Sequence, residues 1–178
     1  MLLERLTKEF GITDIVERHA RMTTIKVDKD KGERLIRELR DREGYVHLSF
    51  VACVDYIERG VFSIIYMLHS YDEKKDLGIH IEVDRENPEM TSIHTLWAQA
   101  WTYQRELREM YGINFPGSPR VDEEFCLEGW DQMPPMRRDF DTRKYSDEQF
   151  GHREGRASED PREHMKAKLY PNRGGDEQ

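Results

Sequence analysis

Leu2, Leu3, Leu6 and Phe10 recur at steps of three and four residues, so a short amphipathic helix is expected to open the chain as a lid on a sheet. Residues 21–28 (RMTTIKVD) are β-branched and bounded by charge, which predicts a strand. Asp28 stands where a cap belongs, ahead of a helix carrying Leu35, Ile36 and Leu39 and stopping at Gly44. From Tyr45 the period drops to two. Val46, Leu48, Phe50, Ala52, Val54 and Tyr56 alternate along a long strand that ends at Glu58-Arg59-Gly60. Residues 61–70 return as a strongly apolar strand, residues 71–76 turn, and residues 77–83 alternate again, an antiparallel hairpin succession. Asn87-Pro88 breaks that strand. Ser92 is then expected to cap a long helix with Ile93, Leu96, Trp97, Ala100, Trp101, Tyr103, Leu107, Met110 and Tyr111 at helical steps, closed by Gly112. The order αβαβββα predicts an α+β fold, a two-layer sandwich with its helices on one face of a mostly antiparallel sheet.

Beyond Gly112 the pattern changes. Pro116, Pro119, Pro134, Pro135, Pro161 and Pro171 interrupt any regular element, and residues 141–178 contain no Val, Ile or Trp. Burial within this chain cannot offset their ordering entropy, so residues 1–115 are expected to form the core domain and residues 116–178 an extended segment that depends on a partner for order.

Composition narrows the function. Charged residues make up 36% of the chain, but the 10% aromatic content is enough to build a core. A net charge of −8 excludes general affinity for nucleic-acid backbones. Cys53 and Cys126 are too few for an iron–sulfur cluster held by this chain and too far apart for a CxxC pair; two reduced thiols in a cytosolic protein is the plain reading. No apolar run approaches the roughly 20 residues needed to cross a bilayer, and MLLERLTKEF is too charged for a signal peptide, so membrane association is expected only through partners. Abundant Glu and Arg with few Cys, Asn and Gln suit a thermophile.

Candidate chemistry is sparse. Gln104-Arg105-Glu106-Leu107-Arg108-Glu109 places Arg105 and Glu109 one helical turn apart, where they can pair as solvated decoration. Trp97, Trp101, Tyr103 and Tyr111 crowd the same helix with more aromatic area than one seam needs, which suggests a partner-facing surface instead. Glu106 and Glu109 as a catalytic carboxylate pair is a rival, weakened by the neutralising Arg105 and Arg108. The seven histidines form no HExxH or tight cluster; His80 and Glu82 share a strand face, but two ligands do not make a metal site. No GxGxxG, Walker loop or GxSxG occurs. Arg137-Arg138-Asp139-Phe140, after Met133-Pro134-Pro135-Met136, lies beyond the last predicted core element. Packing is expected hardly to depend on it, while its two guanidinium forks suit a partner's carboxylates.

In order and spacing over residues 45–140, Val54-Asp55-Tyr56, the strand 62–68, Ser92-Ile93, Trp97, Arg105-Glu106, Met110-Tyr111-Gly112-Ile113, Phe115, Gly117, Pro119, Gly129, Pro135 and Arg137-Arg138-Asp139-Phe140 closely resemble the family of the C subunit of complex I, also called the 30-kDa subunit. The resemblance implies a peripheral-arm subunit at the cytoplasmic face of the membrane. Such a subunit has no catalytic, cofactor or metal site and clasps the large D-type subunit beside a small iron–sulfur subunit. The same pair recurs in membrane-bound nickel–iron hydrogenases and their sulfur-reducing relatives, whose partner subunits carry iron–sulfur clusters and, in the hydrogenases, nickel–iron. Trp97, Trp101, Arg105, Glu106, Glu109, Tyr111, Arg137, Arg138, Asp139 and Phe140 are the interface residues it implies. Gln104 stands where the family usually has Glu, Glu109 where it has Asp, Tyr111 where it has Phe, and Ser118 where it has His, and the Leu-Arg-Arg stretch expected next is largely missing. These departures tilt the expectation toward a hydrogenase- or sulfur-reductase-type complex and away from a quinone-reducing one. A free-standing adaptor domain and a small carboxylate enzyme are rival functions for the same sandwich.

Overall fold

The computed structural model describes residues 2–151. α1 (Leu2–Phe10), β1 (Thr13–His19), β2 (Met22–Val27), α2 (Lys29–Arg42), β3 (His47–Tyr56), β4 (Val61–Ser70), β5 (Lys75–Asp84) and α3 (Ala100–Tyr111) build an α+β fold around a five-stranded sheet of order β1-β2-β5-β4-β3. Every pairing is antiparallel except β2 with β5. The expected order lacks β1. All seven of its residues are exposed, so no buried face imprints an alternation on its sequence.

The core lies between the sheet and the helices. Leu6 and Phe10 of α1 and Leu35, Ile36 and Leu39 of α2 pack with Ile25 and Val27, with Phe62, Ile64, Tyr66 and Leu68, and with Leu77, Ile79, Ile81 and Val83. α2 approaches the sheet so closely at Gly32 that a Cβ there would sit 2.3 Å from Ile81 Cδ1. Asp28 is the N-cap residue of α2, but its side chain makes no capping hydrogen bond, contrary to expectation. At the other end Glu43 N–H reaches Leu39 O, Gly44 turns through φ +73°, and Tyr45 N–H also reaches Leu39 O.

Two further expectations fail for physical reasons. Leu48 pairs with Leu68 and Phe50 with Met67, which leaves Ser49 as a bulge that reverses the phase of β3. Of the alternating apolar set, Leu48 therefore faces the core, whereas Phe50, Val54 and Tyr56 turn outward to solvent and Asp55 turns in. The helix expected from Ser92 begins only at Ala100. Residues 92–99 are turns and connecting chain: Ser92 Oγ accepts the His94 N–H at 3.3 Å and donates to Gln104, while Trp97 and Gln99 reach across to Val46 O and to Leu48 O of β3.

The chain divides into two units at Phe140. Residues 116–140 belong to the first. Of the second, α4 (Thr142–Phe150) is described, where only extended chain was expected. The Asp141 carboxylate caps it by accepting the N–H groups of Arg143 and Lys144 at 3.1 and 2.9 Å. Arg143–Asp147 and Lys144–Glu148 pairs at 4.0 Å support it without a core. Expectations for residues 152–178 lie outside the described residues.

Candidate interaction surface

β3 is a sheet edge, and an edge strand leaves a row of backbone groups without strand partners. α3 and the turns before it supply partners for three of the β3 carbonyls and for that of Val46 just ahead of the strand. Trp97 Nε1 donates to Val46 O (2.8 Å), Gln99 Nε2 to Leu48 O (2.6 Å), Tyr103 OH to Ser49 O (3.1 Å) and Tyr111 OH to Cys53 O (3.1 Å). The aromatic crowding thus has an intramolecular cause: these rings pin the helix along the edge. Arg40 lies over the Trp97 ring, and the Tyr111 ring meets Phe62 edge-on.

The opposite flank of α3 holds residues 120–127. Arg105 lies over both Trp101 and Phe125 and donates to the carbonyls of Glu123 and Glu124, not to Glu109 as the helical spacing suggested. Glu109 accepts three consecutive backbone N–H groups, from Phe125 (2.6 Å), Cys126 (2.9 Å) and Leu127 (3.1 Å). Partial burial raises its pKa, but these donors outweigh it and hold the carboxyl below its usual range, the opposite of a general acid. The underside of α3 buries Gln104 completely, and its Oε1 accepts from Ser92 Oγ and Ser118 Oγ at 2.7 Å each while Nε2 has no partner among the described residues.

At the C-terminal end of α3 three separate motifs meet. Asp55, turned inward by the bulge, has a side chain 2% exposed. It accepts from Arg85 Nε (2.9 Å) and Nη2 (3.2 Å) and from the backbone N–H of Arg138 (2.9 Å). Arg85 also bridges to Asp139, and Arg138 pairs with Glu58. Arg137 lies over Phe62, and its Nε donates to Tyr111 O at 2.7 Å. Gly112, at φ +79°, is the residue that lets Arg137 in, since a Cβ there would stand 2.9 Å from Nη2. Hydrogen bonds to Asp55, and to a lesser degree those to Asp139, hold Arg85 protonated above the usual Arg range. The Arg85 bond in turn lowers the pKa of Asp139.

The expectation that Arg137 stands apart from core packing is therefore wrong: it is half-buried and stapled to the end of α3. Of the ten proposed interface residues, Trp97, Trp101, Arg105, Glu109, Tyr111, Arg137, Arg138 and Asp139 have intramolecular polar or ring contacts. Phe140 packs against Trp130. Glu106 makes no hydrogen bond or ion pair among the described residues, and the Arg138 side chain is 53% exposed. Arg85 was missed. Its sequence signal is slight, a single arginine one residue past a strand, opposite a motif Asp that periodicity had placed outside. Among the described residues no three His, Cys, Asp or Glu side chains converge to hold a metal.

Residues 25–146 match the family described as respiratory-chain NADH dehydrogenase, 30 Kd subunit. The C subunit of the NADH-quinone oxidoreductase of Erythrobacter litoralis is 32% identical over 141 residues, 77% of this chain and 54% of that protein. Its counterpart in Moorella thermoacetica is 28% identical over 78% of this chain and 90% of its own. The C subunit of the F(420)H(2) dehydrogenase of Methanosarcina mazei is 30% identical over 65% and 73%. Among solved structures, a chain of the membrane-bound sulfane sulfur reductase, an archaeal respiratory membrane complex, superposes with a TM-score of 0.77 at 18% identity, covering 90% of this chain and 95% of that one. A trypsin-resistant fragment of Nqo5 superposes at 0.55 with 21% identity, covering 67% and 98%. These two likenesses are of fold.

Proposed function

From the premise that this chain belongs to the family of the respiratory-chain NADH dehydrogenase 30 Kd subunit, we propose that it is a cofactor-free structural subunit in the peripheral arm of a complex I-like, ion-pumping oxidoreductase, clasping the large D-type subunit. The observation that carries this reading is the family match across residues 25–146, which takes in α2, β3, β4, β5, α3 and the Asp55 junction together. The absence of any helix long and apolar enough to cross a membrane, among the described residues, suits attachment through partners at the cytoplasmic face. The departures at Gln104 and Ser118 favour a hydrogenase- or sulfur-reductase-type complex. A quinone-reducing complex is the second reading, favoured by the names of the Erythrobacter and Moorella relatives. Iron–sulfur clusters and any nickel–iron site belong to the partner subunits.

Glu106, a carboxylate on α3 without a hydrogen-bonding partner among the described residues, and Arg138 are the anchors this reading selects. Affinity purification of the tagged chain from its native membranes, with mass spectrometry of the co-purifying proteins, is expected to return a large hydrogenase-like subunit and an iron–sulfur subunit. Recovery of the chain alone refutes the reading, and an associated quinone- or sulfur-reducing activity decides between its two forms. Stoichiometric iron, nickel or zinc in the isolated chain would contradict its cofactor-free role.

A further inference from the structure

Asp55 is closed off, with a side chain 2% exposed, Arg85 is mostly covered at 15%, and the chain spanning residues 136–140 converges on both. Met136 N–H donates to Met110 O and Arg137 Nε to Tyr111 O, which ties the start of this strap to the end of α3. Beyond it, two bonds lead to the buried pair, Arg138 N–H to the Asp55 carboxylate and the Asp139 carboxylate to Arg85, while the Arg138 side chain pairs with Glu58 and Phe140 packs against Trp130. We infer that Asp55 and Arg85 are positioning residues, which touch no partner but clamp the strap in the conformation that presents Met136 and Arg138 outward. Those two residues are 55% and 53% exposed, an apolar and cationic pair that fits carboxylates bordering apolar surface on a neighbouring subunit.

Geometry and charge both support the clamp. Arg85 acts as a fork, because Nη2 reaches Asp55 and Asp139 at once, which the single ammonium of a lysine cannot reproduce with the same planar geometry. Two cations, Arg85 and Arg137, face two anions, Asp55 and Asp139, so the crevice is balanced. Neutralising Asp55 leaves an excess positive charge beside Arg137, which burial and the Arg85 charge already disfavour in its protonated form. The relation between Val54-Asp55-Tyr56 and Arg137-Arg138-Asp139-Phe140 then has a physical content. They are the two halves of one clamp, 83 residues apart at the Asp55–Arg138 bond.

The clamp stands on the structure; that the strap faces a subunit rests on the function proposed above. The test uses the full chain as wild type, Asp55→Asn and Arg85→Lys. It measures residue-resolved amide exchange, together with co-purification of the co-expressed large subunit. In both variants the Arg138 amide is expected to exchange at least about tenfold faster while the amides of β4 and β5 keep their rates, and recovery of the large subunit falls. Unchanged exchange at Arg138 overturns the inference, and so does equal acceleration of strap and sheet, which would make the pair a general stabiliser of the fold. Arg85→Lys retains a counter-charge for Asp55, so it decides the matter if Asp55→Asn does not fold. Faster strap exchange with undiminished co-purification upholds the clamp and refutes the subunit-facing role of the strap.

Discussion

Gln104 and Ser118, both read from the sequence as departures from the family pattern, are joined by the fold: Ser118 Oγ donates to the buried Gln104 Oε1 at 2.7 Å. The neutral amide oxygen accepts from two hydroxyls, Ser92 and Ser118, where a buried carboxylate would carry a charge with no cation beside it. Gln104→Glu is therefore expected to cost about 2–4 kcal/mol at neutral pH, as an uncompensated buried charge does. Burial raises such a carboxyl, so the penalty sets in as pH rises past the ordinary Glu value and levels off above the raised one. Urea unfolding across pH measures this, and adding Ser118→His, which supplies a cation, is expected to recover part of the loss. Gly112 carries a separate constraint. Its φ of +79° and the 2.9 Å approach of Arg137 Nη2 to a would-be Cβ predict that Gly112→Ala destabilises the chain by about 1–3 kcal/mol in the same assay.

α3 is held as an element by side-chain bonds on both flanks, with its apolar seam between them. Tyr103→Phe and Tyr111→Phe each remove one donor to a β3 carbonyl, and each is expected to cost about 0.5–1.5 kcal/mol in thermal or chemical unfolding. The other flank is acid-sensitive. Glu109 has its pKa lowered in the folded chain, so its contribution is present above the ordinary carboxylate value and is lost as pH falls through the depressed one. Exchange protection of the Phe125, Cys126 and Leu127 amides is expected to collapse on acidification before the sheet opens. Glu109→Gln is expected to weaken that protection already at neutral pH. If the three amides keep their protection in the variant, the carboxylate is not what holds residues 123–127.

At the scale of the whole molecule, the Arg137-Arg138 pair separates into two roles. Arg137 supports the fold, so Arg137→Glu is expected to lower the stability of the isolated chain by about 1–3 kcal/mol, through a lost hydrogen bond and a charge reversed beside Phe62. Arg138 is exposed and pairs with an exposed Glu58, so Arg138→Glu is expected to change isolated stability by less than about 1 kcal/mol. Its effect should appear in assembly. Pull-down of the large subunit with each single variant, beside melting of each variant alone, separates the two. An Arg138→Glu chain that assembles at wild-type yield would remove this side chain from the interface.

The apolar pattern alone determined the α+β class, the strands β4 and β5 and the helices α1 and α2: the two helices bury one face at period 3.6, β5 alternates along most of its length, and β4, buried on both faces, is a near-continuous apolar run. β1 was illegible because it buries nothing. The phase of β3 past Ser49 was decided by its pairing with β4, and that one bulge moved Asp55 from solvent to core. The start of α3 was decided by side chains bonding to strand carbonyls some 50 residues away, a long-range competition that no local pattern records. The residues proposed for an interface were legible as motifs, but their contacts within the chain were not. Composition marks Arg137, Glu109 and Tyr111 as suited to a partner, and tertiary structure engages them within the chain, because a buried carboxylate, an open strand edge and a helix end each require partners that only folding brings near.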